Sequence, residues 1–158
     1  MRKLFLLITM ILVSSVIGYT QENISFEYLD AGEGLSNAYI SGIVQDKYGF
    51  LWFGTQFGLN RYDGYEIKKY FSDSENPNSL SGDSINSIFL DLEGDLWIGS
   101  VSGGLNRYDY SSDSFESFPL GPNVQGGLSD SFVSTINQDV NGRIWVGTVY
   151  GGLNMLLN

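Results

Sequence analysis

Residues 34–60, GLSNAYISGIVQDKYGFLWFGTQFGLN, decide the fold, because this stretch returns twice with small changes. The second copy spans residues 80–106 and the third spans residues 127–154. Each copy carries a Leu-Ser pair, an Asp-x-x-Gly turn, a Trp followed two residues later by Gly, and a closing Gly-Leu-Asn. The tryptophans lie 45 and 48 residues apart, a spacing typical of propeller blades and longer than that of leucine-rich or ankyrin repeats.

The repeat predicts four short antiparallel strands per copy, labelled a, b, c and d in chain order. In the first copy, strand a covers 39–45, and strand b covers 50–55, which is apolar at successive positions as in a sheet covered on both faces. The Asp-x-x-Gly turn joins a to b, and Asp63-Gly64 joins c to d. The chain is therefore predicted to be all-β, a partial β-propeller of about three four-stranded antiparallel blades.

The blades are predicted near 34–70, 79–118 and 127–158, and the third ends after strand c. Residues 24–28 alternate apolar and polar side chains, which predicts a strand with one buried face. This segment precedes its Leu-Ser pair as strand d precedes the other two, so it is predicted to be a stray outer strand.

Three blades are fewer than the roughly four to eight of most propellers. We therefore expect an open arc whose two end sheets are uncovered. Such an arc would be stable mainly when it binds further propeller blades, another propeller or a second copy of itself.

One tryptophan and one glycine recur at fixed positions of strand b. The tryptophans lie in apolar runs at the same register, which favours wedges between neighbouring sheets, each burying roughly 150–250 Å². Exposed ligand platforms are the alternative. A glycine two residues later permits close approach of an adjoining sheet. The residues of this structural repeat are Trp52, Trp97 and Trp145 with Gly54, Gly99 and Gly147.

The first twenty residues have the pattern of a secretion signal peptide. Two basic residues precede an apolar stretch at 4–16, and the small residues Gly18 and Thr20 follow it. A membrane anchor is the alternative, but the apolar run is shorter than the roughly 20 residues of a membrane span. We predict a signal peptide over 1–20, an incomplete propeller over 21–158, and a periplasmic or other extracytoplasmic location.

The composition excludes several classes of function. The sequence has no histidine and no cysteine, so it lacks the usual general base, metal ligands and thiol nucleophile. We predict no catalytic residue, no cofactor and no metal site. Its 8 Lys and Arg stand against 18 Asp and Glu, a net charge of −10. That charge repels phosphate backbones and anionic lipids, so nucleic-acid binding is not expected.

The repeats resemble the two-component regulator propeller repeat, whose pattern runs Gly-Leu-Ser, Asp, Gly, Leu-Trp-Ile-Gly-Thr and Gly-Leu-Asn-Arg-Tyr-Asp. The resemblance covers residues 34–64, 80–109 and 127–154. A signal peptide followed by such repeats is similar to the periplasmic sensor region of hybrid two-component receptors, which typically respond to oligosaccharides. The resemblance implies further blades, a transmembrane helix and a histidine kinase, so membrane contact is expected only through that missing C-terminal part.

The connections between strands b and c are the expected ligand surface. If strand direction alternates, the b–c and d–a connections lie at one end of the blades, and the a–b and c–d connections lie at the other. The b–c connections differ between copies, which is typical of binding loops on a common scaffold. Phe57 and Tyr150 are predicted to stack on sugar rings, and Gln56 and Ser102 to supply hydrogen bonds. Packing against neighbouring loops is the alternative.

The Asp-x-x-Gly turns at Asp46, Asp91 and Asp139 are interpreted as structural. Calcium needs roughly six to eight oxygen ligands, and each turn offers one or two carboxylates. The run from Asp91 to Asp95 has the densest charge and is the best of these weak metal candidates.

Three functions remain open. The first is a non-catalytic extracytoplasmic ligand-sensing propeller, or a fragment of one, in a two-component receptor, with an oligosaccharide as ligand. The second is a polysaccharide lyase or glycosidase, which would need paired carboxylates roughly 5–10 Å apart across a cleft. The third is a protein-interaction scaffold with an apolar binding surface.

Overall fold

The computed structural model describes residues 24–121 and 124–157. In these ranges, eleven strands form three antiparallel sheets, and the predicted all-β propeller arrangement is confirmed. Sheet 1 holds β1 (Ile40–Gln45), β2 (Leu51–Thr55), β3 (Gly58–Tyr62) and β4 (Ile67–Tyr70). Sheet 2 holds β5 (Ile85–Leu90), β6 (Leu96–Ser100), β7 (Leu105–Asp109) and β8 (Ser114–Ser117). Sheet 3 holds β9 (Val133–Gln138), β10 (Ile144–Thr148) and β11 (Gly152–Met155). A 3₁₀ turn, Ala31–Glu33, precedes them.

Each sheet is a simple meander, with its strands side by side in chain order. The a–b turns have the predicted structural role. Their glycines, Gly49, Gly94 and Gly142, have φ of +91°, +86° and +83°. Residues other than glycine rarely adopt such backbone angles. The Oδ1 atom of Asp46 accepts the backbone N–H of Phe50 at 3.0 Å, and the other two turns repeat this bond.

The sheets stack face to face, so that strand a of each sheet packs against the sheet before it. Strand β5 contacts β1 and β2, and β9 contacts β5 and β6. Two apolar cores fill the interfaces, one around Trp52 and the other around Trp97. Both tryptophans are buried, with exposed fractions of 0% and 2%. The predicted wedges between sheets are therefore present at both interfaces.

Two of the repeated glycines lie where an adjoining sheet approaches closely. A Cβ atom on Gly54 would lie 2.8 Å from Cγ2 of Ile85, and one on Gly99 would lie 2.3 Å from Cγ1 of Val133. Cβ atoms essentially never come this close to another heavy atom. Larger side chains at these two positions would force the sheets apart.

The prediction for the third tryptophan is wrong in this chain. Trp145 is only half-buried, because it points away from the core to which its neighbours Ile144 and Val146 belong. A Cβ atom on Gly147 would meet Thr135 and Ser134 of its own sheet. Within the described part of the chain, no fourth sheet covers this face, and the blades form the expected open arc.

The stray outer strand predicted at 24–28 is also absent from the structure. These residues have no regular secondary structure, and Ile24, Phe26 and Tyr28 are 85%, 86% and 86% exposed. A strand needs the edge of a sheet to pair with, and in the repeat plan this segment belongs to a sheet in front of sheet 1. The signal peptide predicted at 1–20 lies outside the described residues.

Candidate functional site

The loops divide between two ends of the blades as the alternation of strands predicts. The upper end holds the b–c loops (55–58, 100–104 and 148–152) and the d–a loops that precede each strand a. Hydrogen bonds join the two kinds of loop. For example, the N–H of Gly58, in the first b–c loop, donates to the carbonyl of Asp83, in the d–a loop before β5, at 2.7 Å. The lower end holds the a–b turns and c–d hairpins, which also meet.

A hydroxyl at the end of strand b holds each b–c loop in the same way. Thr55 Oγ1 donates to the carbonyl of Gly58 at 2.8 Å and accepts the N–H of Phe57 at 3.0 Å. Ser100 and Thr148 make corresponding bonds in the other two loops. The loop backbone is therefore fixed by a repeated device, while the residues at its tip are free to differ.

A buried asparagine of strand c holds each d–a loop. Asn60 Oδ1 accepts the N–H of Ser36 at 2.9 Å, and Asn60 Nδ2 donates to Ser36 Oγ at 2.7 Å. The pairs Asn106–Ser81 and Asn154–Ser129 repeat both bonds. These bonds explain the Leu-Ser and Gly-Leu-Asn parts of the motif, whose role the sequence analysis left unassigned. The sequence pattern that could have revealed these bonds is the separation between the serine and the asparagine, which is 24 or 25 residues in every copy.

The four predicted ligand-binding residues all lie at the upper end, on three separate loops. Phe57 is 55% exposed, and its ring lies 5.4 Å from that of Phe71, so it does pack in part against a neighbouring loop. Tyr150 is 85% exposed, and Gln56 and Ser102 are also exposed. The structure gathers these side chains on one end of the arc but not into one of the cavities described below.

A groove of about 930 Å³ lies at the lower end and was missed by the sequence analysis. Tyr48 of the first a–b turn and Tyr110 of the second c–d hairpin line it, with ring centroids 5.1 Å apart. Arg107 of β7 also lines it and is paired with Glu116 at 2.7 Å. The groove forms between turns of two different repeats, so the pattern within one repeat does not predict it.

Titratable groups cluster where sheets 1 and 2 meet at the lower end. Asp113, in the c–d hairpin of sheet 2, accepts hydrogen bonds from the Tyr70 hydroxyl at 2.7 Å, from the Tyr108 hydroxyl and from Lys68. Arg61 donates to the Tyr108 hydroxyl at 3.1 Å. These bonds connect β3 and β4 of sheet 1 to sheet 2. We call this cluster the Asp113 lock.

The charge states in the Asp113 lock suit a structural role. Burial opposes ionisation of Asp113, but the hydrogen bonds from Lys68, Tyr108 and Tyr70 outweigh it and lower its pKa to about 2. Burial raises the pKa of Tyr70 and of Tyr108 above the ordinary value. A carboxyl that stays ionised and tyrosines that stay neutral are poorly matched to proton transfer near neutral pH.

The aspartates of the a–b turns have a second bond that the sequence analysis missed. Their Oδ2 atoms accept the indole N–H of the tryptophan six residues later, at 2.7, 2.7 and 2.9 Å in the three repeats. The indole bond is also the main cause of the lowered pKa of Asp139. Each turn carboxylate therefore fixes both a turn and a tryptophan.

The metal candidate at Asp91 to Asp95 is satisfied by protein donors. Asp91 binds the indole of Trp97, and Asp95 lies 3.4 Å from Arg107. Across residues 24–121 and 124–157, no three acidic side chains gather where they could share a metal ion.

The motif recognised in the sequence also matches a family model. The model of the two component regulator propeller matches residues 34–57 and 127–150. Two of the three repeats of this chain therefore match the two component regulator propeller. The resemblance inferred from the three copies is thereby confirmed.

Three known proteins show what this propeller is similar to. Histidine kinase P4 of Formosa agariphila is 41% identical over 59 residues, which are 37% of this chain and 4% of the kinase. A protein described as the extracellular domain of a hybrid two-component system of B. thetaiotaomicron has a TM-score of 0.75 and 34% identity, over 82% of this chain and 18% of that domain. Virginiamycin B lyase from Staphylococcus aureus shares the fold, with a TM-score of 0.53 and 21% identity over 86% of this chain and 46% of the lyase.

The structural similarity is to a domain described as extracellular. This chain spans less than a fifth of that domain's length. Within the described ranges, no helix has both the length and the apolar character of a membrane span.

Proposed function

We propose that this chain is part of the extracytoplasmic ligand-sensing propeller of a two-component signalling receptor, that it is not catalytic, and that its ligand is an oligosaccharide. The likeness to the extracellular domain of a hybrid two-component system supports the sensor role. We propose that the ligand binds at the upper end of the arc. There, three b–c loops share one backbone anchor and differ at their exposed tips.

The tips have the chemistry that sugars need. The exposed rings of Phe57 and Tyr150 offer flat apolar faces. Tyr150 also has a hydroxyl group that can form a hydrogen bond with a sugar. Gln56 and Ser102 add hydrogen-bonding groups beside them. The net charge of −10 repels acidic ligands. We therefore propose a neutral oligosaccharide.

The enzyme alternative has less support from the residues. The lyase that shares the fold shows that a propeller can carry an enzyme. In this chain, however, histidine and cysteine are absent from the sequence, and the carboxylate of the Asp113 lock is held ionised by its hydrogen bonds. Such a group is a poor general acid.

Calorimetric titration with a panel of neutral oligosaccharides tests the proposal, using protein purified from the periplasm. We expect binding heat without release of reducing ends. Phe57→Ala and Tyr150→Ala should each weaken binding roughly tenfold, which corresponds to about 1.4 kcal/mol. Tyr48→Ala, at the lower-end groove, is the matched control and should bind as the parent does.

Each other outcome contradicts a defined part of the proposal. Loss of binding in Tyr48→Ala but not in Phe57→Ala would move the ligand to the lower-end groove. Release of reducing ends with turnover would show that the propeller is catalytic. No heat with any oligosaccharide of the panel would overturn the ligand class.

A further inference from the structure

The c–d hairpin of sheet 2 is longer than that of sheet 1. In sheet 1, residues 63–66 connect the cross-strand pair Tyr62 and Ile67, whereas residues 109–114 connect the equivalent pair in sheet 2. An insertion confined to one repeat lies on a loop of one face, which is often the face that binds. Here the longer hairpin forms one wall of the lower-end groove.

The longer hairpin brings a tyrosine against the a–b turn of sheet 1. The rings of Tyr110 and Tyr48 lie side by side, and Lys47 Nζ lies 5.3 Å from the centre of the first and 5.6 Å from the centre of the second. A ring face stabilises a cation at such distances. In the part of the chain that the structure describes, Lys47 forms no ion pair with a carboxylate. The two rings therefore hold an ammonium group without a carboxylate partner.

Carboxylates outnumber cations along the groove. Asp95, Asp109 and Glu116 line it together with Arg107 and Lys47. Arg107 pairs with both Glu116, at 2.7 Å, and Asp95, at 3.4 Å, so two carboxylates face one guanidinium. Hydrogen bonds from two neighbouring serines lower the pKa of Asp109 to about 2, so it stays ionised near neutral pH. The groove therefore favours a positively charged group.

The groove continues along β8, the outer strand of sheet 2. A second cavity, of about 310 Å³, shares Pro77 and Ser117 with it. Asp73 lines this second cavity, and no lysine or arginine of the described residues does so. The two cavities together form a long acidic channel, a shape that suits an extended chain.

The edge of β8 offers backbone groups to such a chain. The N–H of Phe118 donates to the carbonyl of Leu105 in the sheet. Because hydrogen-bonded pairs alternate in an antiparallel ladder, the N–H and C=O of the preceding residue, Ser117, point away from β7. Ser117 is exposed. An extended polypeptide can bond to backbone groups at a strand edge.

We propose that the lower-end groove binds an extended basic segment of a partner protein. An arginine or lysine side chain of the segment lies against Tyr48 and Tyr110, where Lys47 otherwise lies, and its backbone passes along β8. The net charge of −10 on the whole chain assists the approach of such a partner. The oligosaccharide surface lies at the opposite end of the blades, so either surface can be present without the other.

Calorimetric titration of the purified chain with an acetylated and amidated hexapeptide of alternating arginine and glycine tests the preference for charge. The matched probe carries citrulline, an uncharged isostere of arginine, at the same positions. We expect the arginine peptide to bind at least about tenfold more tightly at low salt, and to lose affinity as the salt concentration rises.

Two tyrosines at the lower end test the position of the site. Tyr48→Ala should weaken binding of the arginine peptide about twofold to fivefold, because it removes one of the two ring faces from the cation. Tyr65→Ala is the control and should bind as the parent does. Tyr65 is 93% exposed in the c–d hairpin of sheet 1 and does not line the groove.

Two lysines separate the groove from the charge of the whole chain. Lys47→Ala should tighten binding of the arginine peptide about twofold to fivefold, because it frees the rings and removes a like charge. Lys69→Ala removes the same charge from β4, outside the groove, and should change the affinity less.

Four outcomes would overturn the proposal. Equal affinity for the arginine and citrulline peptides would exclude recognition of charge. Equal tightening by Lys47→Ala and Lys69→Ala would show attraction to the whole chain and not to the groove. Tighter binding of an oligomer of glucosamine, weakened by Tyr48→Ala, would replace the polypeptide with a cationic sugar. No heat with the arginine peptide would exclude a basic segment as the ligand.

Discussion

Trp52 and Trp145 occupy the same position of the same repeat, but their environments differ. Trp52 is completely buried between two sheets, whereas Trp145 lies on an outer face and is half-buried. Both indoles nevertheless donate to the turn aspartate of their own repeat. The comparison shows that the repeat fixes the orientation of a tryptophan, while the next sheet along fixes its burial.

The largest expected effect is on the tryptophans themselves. Trp52→Ala should lower the free energy of unfolding by about 4 kcal/mol, because it opens a cavity in a closed core. Trp145→Ala should cost about 1.5 kcal/mol, from partial burial and the indole bond. Urea denaturation of the two single variants measures both losses. Equal losses would show that Trp145 is also buried.

A methyl group on the repeated glycine should give the next largest difference. Gly99→Ala should cost about 3 kcal/mol, because the new Cβ would lie 2.3 Å from Val133 of the adjoining sheet. Gly147→Ala should cost less than about 1 kcal/mol, because its nearest contact is the methyl carbon of Thr135, an exposed side chain that can change its χ1 rotamer. Urea denaturation of the two variants tests this. A larger loss for Gly147→Ala would contradict an uncovered outer face.

The asparagines that hold the d–a loops should show the same contrast on a smaller scale. Asn106 is completely buried, so Asn106→Ala should cost about 2 kcal/mol by leaving the N–H of Ser81 without its partner. Asn154 is half-buried, and water can replace its bonds to Ser129, so Asn154→Ala should cost about 1 kcal/mol. Thermal unfolding monitored by circular dichroism compares them. Asn141→Ala, in an exposed turn, is the control.

The Asp113 lock should give the smallest difference, and it should depend on pH. At neutral pH, Asp113→Asn should cost at most about 1 kcal/mol, because the side chain is partly exposed. The folded pKa of Asp113, about 2, lies below its ordinary value of 3.8. The stabilisation is therefore present above about pH 4 and is lost as the pH falls towards 2.

Urea denaturation of the parent and of Asp113→Asn between pH 6 and about pH 2 measures this contribution. The two unfolding free energies should converge at the acidic end. Glu75→Gln, in the exposed loop after sheet 1, is the control. A difference that grows as the pH falls would contradict an ionised Asp113 in the folded protein.

Features that recur in all three copies could be predicted from the sequence. The three sheets, the structural turns and the distribution of loops between two ends all follow from matched landmarks. The bond between Asp46 and Trp52 could also have been predicted from the sequence, because an aspartate and a tryptophan six residues apart recur in the other two copies. It was missed because an indole in a core was interpreted as apolar packing alone.

Features that occur once left no such signal. Asp113 adopts a φ of +54° in a hairpin that the other sheets do not copy, so neither its lock nor the lower-end groove could be predicted from a repeat. The unpaired state of residues 24–28 depends on which sheet lies in front of sheet 1. The residues of that segment indicate what it would pair with, but not whether a partner is present.

The different burial of the three tryptophans has a spectroscopic consequence. The three tryptophans of this chain stand one per sheet, so its ultraviolet emission divides into two shielded fluorophores and one accessible one. Acrylamide should quench Trp145 first. Intrinsic fluorescence therefore reports whether a partner covers the outer face of sheet 3.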